Sequence, residues 1–147
     1  MSPDAERQSL RERLEEAGHD PSRPTMWIWE GVTPYLPPKA IELTLADLSH
    51  RSAPASRLAM TYATPPLVPI PWPRLARSAR AAFALLGEPI LGVMAPDVAE
   101  SMLLGAGFDL LADTGSIQWA HDLPLARTLG YPFRSERLAV AERPVGG

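Results

Sequence analysis

The run Thr25-Met26-Trp27-Ile28-Trp29 is apolar over the length of a strand, and Glu30 and Gly31 follow it directly. A strand apolar on both faces predicts a central place in a sheet covered on both sides. It also predicts that whatever stands at its carboxyl end is displayed at a sheet edge, where open α/β sheets bind their ligands. The rest of the chain is read around this segment.

Downstream, residues 31–37 form a loop, and Pro38 suits the first turn of a helix. Ile41, Thr44, Leu45 and Leu48 carry that helix at 3.6-residue spacing to about Ser52. Ser56 to Ala63 reads as a second strand, so strand–helix–strand predicts a parallel pair with a right-handed crossover. Upstream, residues 3–17 read as a short helix through Leu10, Leu14 and Ala17, stopped at Gly18 and joined by a turn-rich connector.

The chain has 17 prolines, about twice the usual share, and they cluster at 65–73. That cluster predicts an ordered surface loop or lid over 64–73, holding Trp72. A helix is expected over 74–86, its Arg74, Arg77 and Arg80 on a solvated face. Gly87-Glu88-Pro89 reads as a turn. Pro96 opens a further helix with Val98 and Met102 facing inward and Gly107 ending it. Phe108 to Ala112 is a third strand, 117–128 a short helix, and Arg137 to Glu142 a final strand. We therefore expect one unit of 147 residues: 1–24 helix and connector, 25–63 strand–helix–strand, 64–95 loop and helix, 96–147 helix and strands. Alternating elements predict an α/β sheet of about four strands with flanking helices. Self-contained open sheets are usually larger, which hints at a missing half.

A formal charge of −3 argues against a general nucleic-acid-binding surface. No stretch approaches the roughly 20 apolar residues that span a bilayer. Residues 1–16 are charged and lack the apolar core of a signal peptide, so no membrane role and a cytoplasmic location are expected. The absence of cysteine excludes disulfide and thiolate chemistry.

Glu30 is the most informative single residue. Its carboxylate suits pairing with a ligand ammonium, or equally the capping of its own turn. Tyr35 lies in the same loop, and its hydroxyl suits either a substrate contact or, with the better prior, holding the loop in place. His19, His50 and His121 lack metal-ligand spacing and read as surface residues, so no metal is expected. There is no nucleophile elbow and no Gly-rich phosphate loop; Gly92 and Gly105 fit no ligand pattern.

The segment Asp20 to Leu36, with Trp27-Ile28-Trp29-Glu30-Gly31-Val32 at its centre, resembles a signature of bacterial relatives of the leucine carboxyl methyltransferases. Ser52 to Leu58, Thr61-Tyr62-Ala63, Gly87-Glu88-Pro89, Gly107-Phe108 and Leu138 to Ala141 match further features in the same order, and Asp4 to Leu10 looks like the family's Asp-Phe-Glu-Arg segment. The resemblance spans residues 3–142 but only the latter half of the family. It implies the C-terminal half of a class I, Rossmann-like sheet that binds S-adenosylmethionine without a metal. By position, Glu30 would contact the cofactor's methionyl end, Asp4 and Ala5 would lie near the adenine, and Tyr35 would face the substrate. Ala5 replaces a larger apolar residue, and Ala55 stands where the family usually has glycine. The implied activity is methyl transfer to a small-molecule carboxylate or hydroxyl acceptor, weak or absent in this chain alone. The rival expectation is a non-catalytic α/β domain that uses an exposed sheet edge to pair with itself or with a missing N-terminal half.

Overall fold

A computed structural model describes residues 12–65, 90–122 and 135–145. Residues 12–16 are helical, and Gly18 ends the turn at a positive φ of 83°. Gly18 donates its N–H to the Glu15 carbonyl, and His19 donates to that of Leu14, the paired bonds of a Schellman stop.

Four strands make one sheet: β1 (Met26–Trp29), β2 (Arg57–Ala63), β3 (Asp109–Gly115) and β4 (Glu136–Glu142), in the order β1-β2-β4-β3. β1 and β2 pair in parallel, while β4 runs antiparallel to both β2 and β3. Beyond the helical residues 12–16, three helices are described: α1 (Pro38–His50), α2 (Pro96–Gly105) and α3 (Ser116–Asp122). α1 begins on Pro38, as its fixed φ favours, and buries Ile41, Leu45 and Leu48. α2 ends in a second Schellman stop: Gly107, at φ 87°, bonds Leu104, and Phe108 bonds Leu103. Leu103 and Phe108 are both fully buried, which supplies the apolar contact such stops favour.

The pleat sorts side chains into two faces. Leu58, Met60, Tyr62, Ala139 and Ala141 point to the core face, where Ile41, Leu45, Leu48, Ala99, Leu103 and Phe108 meet them. Trp27 and Trp29 lie half-buried on the same side, and the Trp27 indole donates to Ser52 Oγ at 2.8 Å. The opposite face carries Met26 and Ile28, both exposed, beside Ala59, Leu138 and Val140.

Three sequence expectations are corrected. β1 is an edge strand rather than a central one, because β2 is its sole partner among the described residues and its second face is uncovered. On α2, Val98 is exposed, and Ala99 and Leu103 face the core with Met102 at their flank. One residue is about 100° around a helix, so an apolar Val beside an apolar Ala misled the periodicity. β3 starts at Asp109 and runs to Gly115, since Phe108 belongs to the helix stop. The expected loop at 64–73 is described only to residue 65, and the helix at 74–86, the turn at 87–89, the end of the helix at 117–128, Asp4 and Ala5 lie outside the described residues.

Candidate functional site

Glu30 stands exposed just beyond the carboxyl end of β1. The turn that presents it is pinned from below. Gly31, at φ 70°, donates its N–H to Thr61 Oγ1 at 2.8 Å, and fully buried Thr33 donates its hydroxyl to the Thr61 carbonyl at 2.8 Å. Thr61 thus holds both sides of the Glu30-Gly31-Val32 turn through β2. A glycine is needed at position 31 because the positive φ is costly for a residue with a Cβ.

A 3-10 turn follows at Thr33–Tyr35. The Pro34 carbonyl accepts the N–H groups of Leu91 and Gly92, at 2.8 and 2.9 Å, and Met94 donates to the Ala63 carbonyl at 3.0 Å. Gly92 passes so close that a Cβ there would sit 2.0 Å from the Thr33 carbonyl oxygen. The loops after β1 and β2 are therefore stitched into one edge. Tyr35 projects from it, exposed, and its hydroxyl has no hydrogen bond among the described residues.

The structure adds a second carboxylate at this edge. Glu136 opens β4 opposite Ala63, on the same face as Thr61 and within reach of the charge of Glu30. Burial, and then the nearby charge of Glu30, push its carboxyl above the ordinary value. Because β4 is antiparallel, its first residue lies at the carboxyl end of β2, and strand direction is what sequence reading lacked here.

On the core side of the same edge, Tyr62, Asp113 and Arg137 form a closed network. Tyr62 donates to Asp113 Oδ2 at 2.6 Å, and Arg137 Nε donates to Asp113 Oδ1 at 2.9 Å and to the Tyr62 hydroxyl at 3.1 Å. Burial, then the Asp113 hydrogen bond and charge, raise the Tyr62 hydroxyl well above its usual range, with Arg137 opposing. For Arg137 burial works downward, but Asp113 and then Tyr62 outweigh it, so the guanidinium is held above its usual range. The Arg137–Asp113 pair bridges β4 and β3 and ties their register. The sequence marked Tyr62 only as part of Thr61-Tyr62-Ala63 and gave no sign of the network, because its members are 24 to 75 positions apart.

His19 packs against Trp27 in a tilted ring contact, centroids 5.0 Å apart and planes 40° apart, while His50 and His121 are exposed. Among the described residues no group of His, Cys, Asp and Glu could hold a metal, and no helix is long and apolar enough to cross a membrane.

Residues 1–49 match the leucine carboxyl methyltransferase family. A protein of Mycolicibacterium gilvum named "Putative S-adenosyl-L-methionine-dependent methyltransferase" is 53% identical over 49 residues, 33% of this chain and 16% of that protein. One of the same name in Mycolicibacterium vanbaalenii is 46% identical over 70 residues, covering 42% of this chain and 23% of the relative. Among solved structures, a methyltransferase from Thermobifida fusca, itself titled putative, superposes with a TM-score of 0.61 at 22% identity, covering 86% of this chain and 46% of that one. A DUF574 family protein from Streptomyces avermitilis gives 0.63 at 18% identity, covering 85% and 46%. The α/β, Rossmann-like fold is thus shared with these two solved structures, and this chain spans under half of their length and under a quarter of the two relatives.

Proposed function

We propose that this chain forms part of an S-adenosylmethionine-dependent methyltransferase, transferring methyl to an oxygen of a small-molecule acceptor. The supporting observation is the position of Glu30. It is exposed at the carboxyl edge of a parallel strand pair, on a turn that Thr61 and Thr33 hold rigid.

A carboxylate there fits the cofactor's methionyl ammonium, since a charge-assisted bond to an ammonium needs an accessible, oriented oxygen. When bound, the cofactor supplies a methyl group on a positively charged sulfur. The protein's part is then to align acceptor and methyl and to exclude water, so positioning supplies much of the rate. Tyr35, five residues further on along the same stitched edge, is assigned the acceptor side in this reading, and the family resemblance assigns Asp4 and Ala5, which lie outside the described residues, to the adenine. One carboxylate cannot hold a whole cofactor, and relatives extend well beyond the matched region. Binding by this chain alone is therefore weak.

Two measurements test this. Saturation-transfer NMR with S-adenosylmethionine should show contact at the methionyl protons that Glu30→Gln removes; an unchanged signal would discard the role of Glu30. Calorimetry should show no binding in the micromolar range, and a micromolar Kd for this chain alone would refute the claim of a partial site.

A further inference from the structure

The Tyr62–Asp113–Arg137 network holds an arginine whose fork is only half used. Nε donates to Asp113 Oδ1 at 2.9 Å and to the Tyr62 hydroxyl at 3.1 Å, and Nη2 donates to the Asp113 carbonyl at 3.3 Å. These bonds occupy the side of the guanidinium that carries Nε and Nη2. An arginine beside a carboxylate frequently takes both of its oxygens. Here Tyr62 donates to Asp113 Oδ2 at 2.6 Å and so claims the second one. The end of the fork is left over, and Nη1 has no hydrogen bond to a described residue. Its anchors are fixed, since Tyr62 is 1% exposed and the Asp113 side chain 12%, while the Arg137 side chain remains 28% exposed. Gly115, the last residue of β3, stands opposite Arg137, and a Cβ there would lie 3.2 Å from Nη1. The missing side chain lets the end of the fork lie over β3 at the carboxyl edge of the sheet.

We infer that this end of Arg137 is a carboxylate-binding subsite. Two terminal N–H groups side by side match the two oxygens of a planar carboxylate. The neighbouring charge sets the class of anion: Asp113 sits on the same guanidinium, so a monoanion meets less repulsion there than a phosphate dianion. The cofactor's own carboxylate is not the occupant. β2 lies between β1 and β4, so two strand spacings, roughly 10 Å, separate the strand before Glu30 from that of Arg137. That exceeds the separation of ammonium and carboxylate on one amino acid, so a methionyl group held at Glu30 leaves Arg137 free. On the methyltransferase reading the subsite therefore holds a carboxylate of the acceptor. That assignment rests on the reading, whereas the subsite itself does not.

Acetate is the probe, titrated into the full chain without cofactor and followed by NMR at the arginine Nε–Hε signals and the Thr114 amide. The Arg137 signal should shift saturably at millimolar acetate, while that of Arg57, ion-paired to Glu142 on the surface, should not. Arg137→Lys keeps the charge and loses the fork, so acetate should bind about tenfold more weakly, read at the Thr114 amide. Gly115→Ala presses a methyl against Nη1 and should weaken binding with the charge untouched. Should Arg137→Lys not fold, Gly115→Ala carries the comparison, since the added Cβ meets only Arg137. Overturning results are no saturable shift at Arg137, an affinity unchanged in both variants, or phosphate dianion binding more tightly than acetate. Failure here leaves the Glu30 experiments standing. Acetate binding in a chain that shows no cofactor contact would keep the subsite and sink its assignment to an acceptor.

Discussion

Replacing Ala55 by glycine should stabilise the protein, against the usual rule that glycine weakens a fold. Ala55 has a φ of 64°, the one described non-glycine residue in the left-handed region. The Ser56 N–H reaches back to the Ala53 carbonyl at 3.1 Å, so residues 53–56 close a β-turn with Pro54 and Ala55 at its centre. Pro at the first central position and positive φ at the second define the type II form, which calls for glycine at the second. The conformation is held from outside as well. Ala55 donates to the Arg143 carbonyl at 2.9 Å, and Arg143 donates to that of Ser56 at 2.8 Å. An L-residue in the left-handed region costs about 1–2 kcal/mol. Glycine's greater freedom in the unfolded chain takes back about 0.4–1 kcal/mol. The expected net gain is therefore about 0.5–1 kcal/mol, which for a chain of this size raises Tm by about 2–3 °C. Thermal melts and urea titrations measure it, with an unchanged m-value as the check that only stability moved. Ala59→Gly, at a regular position in β2, is the control and should lose about 0.5–1 kcal/mol. A lower Tm for Ala55→Gly would refute the account of a strained turn.

Two further outcomes follow from the site. Gly92→Ala places a Cβ against the backbone oxygens of Thr33 and Leu36, at 2.0 and 2.6 Å, so the loop must move and its bonds to Pro34 weaken. A loss of about 3 kcal/mol is expected in urea titration, whereas Gly105→Ala, where a Cβ meets nothing, should lose none; equal midpoints for the two variants would sink the close-approach argument. For Glu136, the folded carboxyl titrates above its unfolded value of 4.5, so the folded state binds the proton more tightly. The contribution is favourable below the ordinary carboxyl range and is lost as pH rises through the raised value. Glu136→Gln should flatten the fall of stability with pH above about 4.5, measured as Tm across a pH series, and an unchanged slope would show that Glu136 does not carry it.

How much of this was legible depends on distance along the chain. The segment from β1 through α1 to β2 could be read directly, because its signals are local: an apolar run, Gly31 at a tight turn, Pro38 at a helix start, and Ile41, Leu45 and Leu48 on one stripe. The same segment lies largely within the stretch that matches a known family. Glu30 was legible for the same reason, as the residue that follows a strand. Its supports were not. Thr61 lies 30 residues from Gly31, and nothing in a threonine marks it as the clamp beneath a turn. Glu136 and the Tyr62–Asp113–Arg137 network needed the antiparallel direction of β4, which depends on pairings made across the sheet rather than on pattern within a strand.

β1 shows the division most plainly. Its residues determined that it would be a strand with two apolar faces, since alternation and side-chain size are properties of the segment itself. Whether such a strand is central or at an edge is a property of its neighbours. Here the tertiary structure places β2 on one side and the helices over one face, and so leaves Met26 and Ile28 exposed, because hydrogen-bonded edges and apolar faces are closed only by groups that other segments bring.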